Sequence, residues 1–196
     1  METSLARNLG VSRTPVREAL RLIVNEGLAT STRGGVVVTQ LTIKDVHDLM
    51  QTSRVLHGPA CRLAVARATE AQMERLEELM RQLEAAADAS DLKLFNQADA
   101  NLNRYIAEMA SNIALIRFLD QVNSLLARIR HLAARHPGRP QQSKLENRRV
   151  VDAIRRRDGE EAETAMHEHI QAGQDVVISI LENLSSPSRE NGSRQD

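Results

Sequence analysis

The sequence predicts a mainly α-helical chain: a small N-terminal helix–turn–helix with a hairpin, then an all-helical bundle. Three observations carry this. Apolar residues recur at helical spacing on both sides of Gly10, within the first 25 positions. The same spacing resumes at residue 43 and runs nearly to the end of the 196-residue chain. Only two short runs, 28–31 and 36–39, read as strands, and glycines lie between them.

Taken in order, the first element is a short helix around Leu5-Ala6, closed by a tight turn at Gly10. A second helix starts near residue 13. On it Val16, Ala19, Leu20, Ile23 and Val24 share one face, the spacing of a buried stripe. Arg13, Thr14, Arg17 and Arg21 share another. Pro15 fits the first helical turn, where its missing N–H would be unpaired anyway. Ser12 or Thr14 is the cap. Gly27 ends the helix. Leu28–Ser31 and Val36–Thr39 then form a hairpin around Thr32, Arg33, Gly34 and Gly35.

This is a winged helix-turn-helix layout over residues 1–40, with Arg33 and Gly34 at the wing tip. A helix with one packing face and one arginine face suits a DNA major groove. Arginine can hold guanine O6 and N7 in bidentate fashion, or clamp a phosphate. A cationic, glycine-backed tip can approach a minor groove closely. An amphipathic surface helix with solvated arginines would show the same stripe. The hairpin that follows favours the DNA reading.

Residues 41–184 read as an all-helical unit, with helices near 43–67, 70–88, 91–110, 112–135, 143–157 and 159–184. Pro59 is expected to kink the first of these. Asn112 is placed to cap the fourth. His136-Pro137-Gly138-Arg139-Pro140 is the clearest break, and Asp158-Gly159 marks another. Residues 185–196 are polar and are expected to be a disordered tail. Aromatic residues make up only 2% of the chain, so Leu, Ile, Val, Ala and Met must build the core.

Composition narrows the function classes. Net charge is zero overall, but residues 1–40 carry five basic and three acidic side chains. The single cysteine, Cys61, excludes an internal disulfide and sits among apolar neighbours as a packed thiol. No apolar run is long enough to span a bilayer, and no signal segment is present, so a cytoplasmic protein with no membrane partner is expected. Gly-rich phosphate loop, nucleophile elbow, HExxH and CxxC patterns are all missing. No enzyme is expected; a metal-dependent helical-bundle enzyme carries little weight.

Leu5-Ala6, the run Gly10-Val11-Ser12-Arg13-Thr14-Pro15-Val16-Arg17-Glu18-Ala19-Leu20, Glu26-Gly27-Leu28 and Arg33-Gly34-Gly35 resemble the DNA-binding domain of GntR-type bacterial transcription regulators. The resemblance implies groove contacts by Arg13, Thr14 and Arg17, a backbone contact by Ser12 and a wing contact by Arg33 with Gly34. Such domains carry a further helix and short strand before the Leu5 helix, so residues 1–40 are expected to lack that first helix. About 40 residues rarely fold alone. The alternative reading is a stand-alone effector-binding, dimerising helical protein that has lost DNA binding.

The helical unit resembles the FCD effector domain of the FadR-like subfamily, in its six-helix, VanR-like branch. Arg54 with Leu56, Ala60 and Leu63-Ala64 carry the match in the first helix. Asp99, Tyr105-Ile106-Ala107 and Asn112 carry it in the middle. Glu146, Val150, Ala153-Ile154, Asp158, Ala162, Ala165-Met166 and His169 carry it at the end. By that resemblance a divalent metal would be held at Asp99, Asn103, Asn147 and His169. Two of the expected imidazoles are asparagines here, which weakens the metal to Asp99 and His169, because amide oxygen is a poor ligand for zinc or nickel. No cofactor is expected. The same four residues could instead hydrogen-bond an organic effector, with Arg54 anchoring a carboxylate; Arg54 in a structural ion pair is the equal alternative.

His167 and His169 are two apart and do not chelate together. His47, His131 and His136 read as solvated, and Arg155-Arg156-Arg157 as a solvated helix end. The expectation is a homodimeric, ligand-responsive repressor. It would bind a palindromic operator in double-stranded DNA and be released by a small organic acid.

Overall fold

The computed structural model of the chain describes residues 2–185. In order, the elements are α1 (Glu2–Leu9), α2 (Arg13–Asn25), β1 (Ala29–Thr32), β2 (Gly35–Val38), α3 (Ile43–Arg67), α4 (Glu70–Asp88), α5 (Leu92–Met109), α6 (Ile113–Ala134), α7 (Arg139–Arg155) and α8 (Gly159–Ser185). The mainly helical class, with a small hairpin wing, is as the sequence predicts. Of the expected tail, Ser185 belongs to α8, and residues 186–196 lie outside the described residues.

Two glycines in left-handed conformation shape the N-terminal unit. Gly10 (φ 67°) lets Val11 N–H return to Ala6 O at 3.0 Å, closing α1. Gly27 (φ 73°) does the same for α2, with Leu28 N–H donating to Ile23 O at 3.1 Å. Strands β1 and β2 pair antiparallel from Ala29↔Val38 to Thr32↔Gly35. The strands lie one residue off the predicted limits, and the turn tightens to Arg33-Gly34.

The predicted burial of α2 needs correction. Of its apolar stripe only Val16 is buried; Leu20 and Val24 are half-buried, and Ala19 and Ile23 are exposed. Helix α1 and strand β1 pack on α2.

The bundle helices start where side chains can satisfy free backbone N–H groups. Thr42 with Asp45 and Thr69 with Gln72 form reciprocal capping boxes at α3 and α4. Asp91 caps α5, and Asn112 caps α6 as predicted. Asp158 accepts from Glu161 N–H at the head of α8. Each such cap contributes about 1 kcal/mol.

Helix α7 begins at Arg139, four residues earlier than the sequence reading placed it. Gly138 turns the chain in left-handed conformation (φ 78°), and Pro140 falls in the first turn, where no N–H is required of it. Helix α3 continues through Pro59. Helix α8 is packed most extensively against α3 and also covers α7; α4 lies on α5 and α7. Leu76, Met80, Leu83, Leu102, Ile106, Ile129, Ile154 and Met166 are fully buried at the centre. This aliphatic core is what holds the inner polar residues in place.

Candidate functional site

Two regions concentrate the predicted functional residues. The first is the leading edge of α2. Ser12 is its N-cap, with extended backbone and a side chain that makes no capping hydrogen bond. Ser12, Arg13, Thr14, Arg33 and Gly34 are all exposed. Arg17 is exposed too, but its Nε and Nη2 donate to Glu2 Oε2 at 3.2 and 3.1 Å. The pair is solvent-facing on both sides, so it is screened and cheap to exchange for another anion. Helix α2 therefore presents cations and hydroxyls outward, while Val16 holds it from behind.

The second region is a cavity of about 70 Å³ bordered by α3, α5, α6, α7 and α8. Its apolar walls include Met50, Phe95, Leu126, Ile129, Met166 and Ile170. Its polar lining includes Ser53, His57, Asp99, Asn103, Arg130, Arg139, Ser143 and His169. Such a hollow, mostly apolar with a few fixed polar groups, is the form small-molecule sites take.

The polar groups are held by specific bonds. Asp99 is 5% exposed; Asn147 Nδ2 donates to its Oδ1 at 3.2 Å, and Arg130 Nε lies 3.9 Å from its Oδ2. Asn103 Nδ2 donates to Asp99 O at 2.9 Å. Asn147 is wholly buried, donates also to Ser143 O and Oγ, and leaves its own Oδ1 without a partner. Arg130 also donates to Asn123 Oδ1 and O at 3.0 and 3.1 Å. Burial lowers the Arg130 pKa, and the Asp99 charge partly offsets this.

Arg139, 4% exposed, makes a fork to Glu146 at 2.9 and 2.8 Å. His169 Nδ1 meets the same carboxylate at 2.8 Å. Burial alone would raise Glu146; the hydrogen bonds from His169 and Arg139 outweigh it and leave the carboxyl below its ordinary range.

His57 is 4% exposed, and its Nδ1 lies 3.1 Å from Ser53 O. Burial pushes the imidazole down to about 4; the bond to Ser53 works against this, while Arg130 and His169 add to it. His57 is thus neutral near neutral pH. Nδ1 also lies 3.1 Å from Ser53 Oγ, a hydroxyl that can donate or accept.

Of the predicted effector residues, Asp99, Asn103 and His169 line the cavity, and Asn147 stands behind Asp99. Arg54 does not line it. Its Nη1 donates to Gln171 and Gln174 in the α3–α8 seam, and among the described residues it forms no ion pair. His57, Arg130 and Arg139 escaped the sequence reading. A signal existed for one of them: Met50, Ser53 and His57 follow helical spacing on a buried face.

Two groups expected to be solvated are exposed and also make specific bonds. Arg157, though exposed, donates to Val65 O and Ala68 O, closing the C-terminus of α3, while Arg155 pairs with Glu77. His47, though exposed, bonds Gln174 at 2.8 Å. Cys61 is fully buried, and burial pushes its thiol up to about 12, so it is an inert packing group.

The metal implied by resemblance does not fit these residues. The Asn147 amide aims its N–H at the Asp99 oxygen a cation would need. Among the described residues no three His, Cys, Asp or Glu side chains converge so as to hold a metal ion. None of the described helices is long and apolar enough to cross a membrane.

The N-terminal unit and the helical bundle each match a known family model. The family model for bacterial regulatory proteins of the gntR family matches residues 1–38, and the FCD domain model matches residues 48–172. The probable D-xylose utilization operon transcriptional repressor of Paenarthrobacter nicotinovorans is 31% identical, over 87% of this chain and 75% of that protein. The HTH-type transcriptional repressor RspR of Escherichia coli is 24% identical, over 94% and 81%. Among solved structures, E. coli McbR/YncC superposes with a TM-score of 0.80 at 20% identity, covering 95% of this chain and 87% of that one.

Proposed function

Because this chain belongs to the GntR family of bacterial regulatory proteins, in the FadR-like subfamily that carries an FCD domain, we propose that it is a ligand-responsive repressor. It is a DNA-binding transcriptional regulator and not an enzyme. In the proposed cycle a homodimer binds a palindromic operator, one α2 per half-site, and a small organic acid in the cavity releases it. Since it acts on DNA, we place it in the cytoplasm. The repressor direction is supported by relatives that are repressors.

One observation carries the coupling. Helix α6 borders both regions. Its Leu126, Ile129 and Arg130 line the cavity. Its Asp120, Gln121, Ser124 and Leu125 share a crevice with Asn25 and Glu26 at the end of α2, where Leu125 Cδ2 lies within 3.6 Å of a Cβ built on Gly27. A ligand that shifts α6 by its contacts on one side therefore changes the support of α2 on the other. The coupling required is modest, on the order of 1–3 kcal/mol.

The direct test is DNA binding by the full chain, with and without candidate organic acids. Binding to a palindromic fragment should weaken steeply with salt, because neutralised phosphates release counterions. A ligand that stabilises the bundle should weaken that binding. Ligand binding with no change in DNA affinity would refute the switch.

A further inference from the structure

Asp99 is a buried carboxylate on the cavity wall, and a buried charge is paired or ligated to a metal. Among the described residues two arginines line the same cavity. Arg139 is taken, since both its Nη atoms are forked onto Glu146. Arg130 remains. Its Nη1 and Nη2 donate to Asn123 Oδ1 and O at 3.0 and 3.1 Å, which fixes the guanidinium plane. Its Nε then stands 3.9 Å from Asp99 Oδ2, too far for a hydrogen bond and close enough for charge pairing. Asn147 meets the carboxylate from the other side. Its Nδ2 donates to Asp99 Oδ1 and to Ser143 O, and its own Oδ1 is left buried without a partner among the described residues. The reverse amide would set a carbonyl oxygen against Asp99 and against Ser143 O, which can only accept. The stranded Oδ1 is the smaller cost.

The donor set does not suit a metal. Asn103 and Asn147 stand where the resemblance calls for imidazoles, and the Asn147 N–H takes the Asp99 oxygen a metal would use. We infer that the Arg130 guanidinium is the built-in cation of this site, neutralising Asp99 in the metal's stead and so tying α6 to α5. Arg130 is then a positioning residue for the DNA-binding state, because of its place on α6. Leu125, five residues before it on the same helix, stands beside Gly27 at the end of α2. Removing the guanidinium strands a buried carboxylate, which regains water only if α5 and α6 part. The link needs no dissociable ion, so the DNA-binding state does not depend on metal supply. This rests on the α6 route proposed above, and names the residue that holds α6 in place.

The test is a double-mutant cycle on the full chain. Its readouts are urea unfolding and titration with a palindromic DNA duplex selected by the wild type. Arg130→Gln alone should lower the urea midpoint and weaken duplex binding roughly fivefold or more. Asp99→Asn with Arg130→Gln should be less damaging than the two single effects added together, in both readouts. Arg130→Ala leaves room beside Asp99. Guanidinium ion at millimolar concentration, far below its denaturing range, should therefore recover part of that variant's loss, and sodium chloride at the same concentration should not. Circular dichroism establishes that each variant folds, and the Arg130→Gln cycle decides alone if Arg130→Ala does not. Dialysis of the wild type against a chelator should change neither readout. Additive single effects, equal recovery by sodium chloride, or a chelator that lowers the midpoint overturns the inference and leaves the α6 route intact. Coupling in unfolding with unchanged duplex affinity overturns the α6 route, and the positioning role of Arg130 with it.

Discussion

The His167 imidazole fills the space that a side chain at Gly58 would need. A Cβ built on Gly58 would lie 2.3 Å from His167 Nε2 and 3.0 Å from Glu163 Oε1. The same Nε2 lies 3.1 Å from Arg54 O and donates to it, tying α8 to α3. The adjoining Pro59 has no N–H to offer the Val55 carbonyl, so this stretch of α3 depends on contacts from α8.

Gly58→Ala is therefore expected to destabilise the chain by about 1–3 kcal/mol, the usual cost of overpacking. His167→Ala should lose the bond but open the space. In urea unfolding, Gly58→Ala combined with His167→Ala should be less damaging than the two single effects added together. Strict additivity would show that the two residues do not share this space.

His57 predicts a pH dependence of stability. Its ordinary pKa of 6.5 falls to about 4 in the fold. Between those values the unfolded chain binds the extra proton. Stability from this group is thus complete above pH 6.5 and is lost as pH falls toward 4, by about 3 kcal/mol in all. Arg130 and His169 oppose a charge on His57, and Asp99 favours one. Comparing the unfolding of wild type and His57→Gln between pH 7 and 4 isolates the effect. Parallel curves would refute it.

Arg13 is expected to read DNA directly. Arg13→Ala should weaken operator binding by about 1–3 kcal/mol if it contacts a base edge, and should leave the unfolding temperature unchanged. Arg17 must leave Glu2 to do the same. Glu2→Gln removes that competitor and should hold or strengthen binding, at a stability cost below about 1 kcal/mol. A fluorescence titration at two salt concentrations checks both. Weaker binding by Glu2→Gln would mean that the ion pair positions Arg17 instead of occupying it.

Arg139 and Glu146 form a buried pair with His169 at its edge. Removing one member strands the other. Arg139→Ala should cost about 3–5 kcal/mol in urea unfolding, since Glu146 keeps a charge without its main partner. A loss below about 1 kcal/mol would show that water replaces the arginine readily.

Restoring imidazoles should create what the chain lacks. Asn103→His with Asn147→His adds two nitrogen ligands beside Asp99 and His169. Zinc or nickel should then raise the unfolding temperature, reversibly by chelator. An unresponsive double variant would show that these four positions do not converge on one point.

Local patterns alone determined much of this protein. The 3.6-residue spacing located every helix, Asn112 its cap, and Gly10 and Gly27 their turns, because these depend on neighbours in sequence. The cationic edge from Ser12 to Arg17 was legible for the same reason: charge on one side of an amphipathic helix needs no distant partner to stay outside. Only the tertiary structure decided the cavity. Asp99 and Asn147 are 48 residues apart, and His57 and Arg130 come from two further helices. Periodicity shows which face of a helix turns inward, but not which helix it meets or at what height. A half-buried arginine on such a face reads the same whether it bonds a neighbouring amide, as Arg54 does, or stands at a hollow, as Arg130 does. That difference is settled by the crossing of α3, α5, α6, α7 and α8 around the shared aliphatic core.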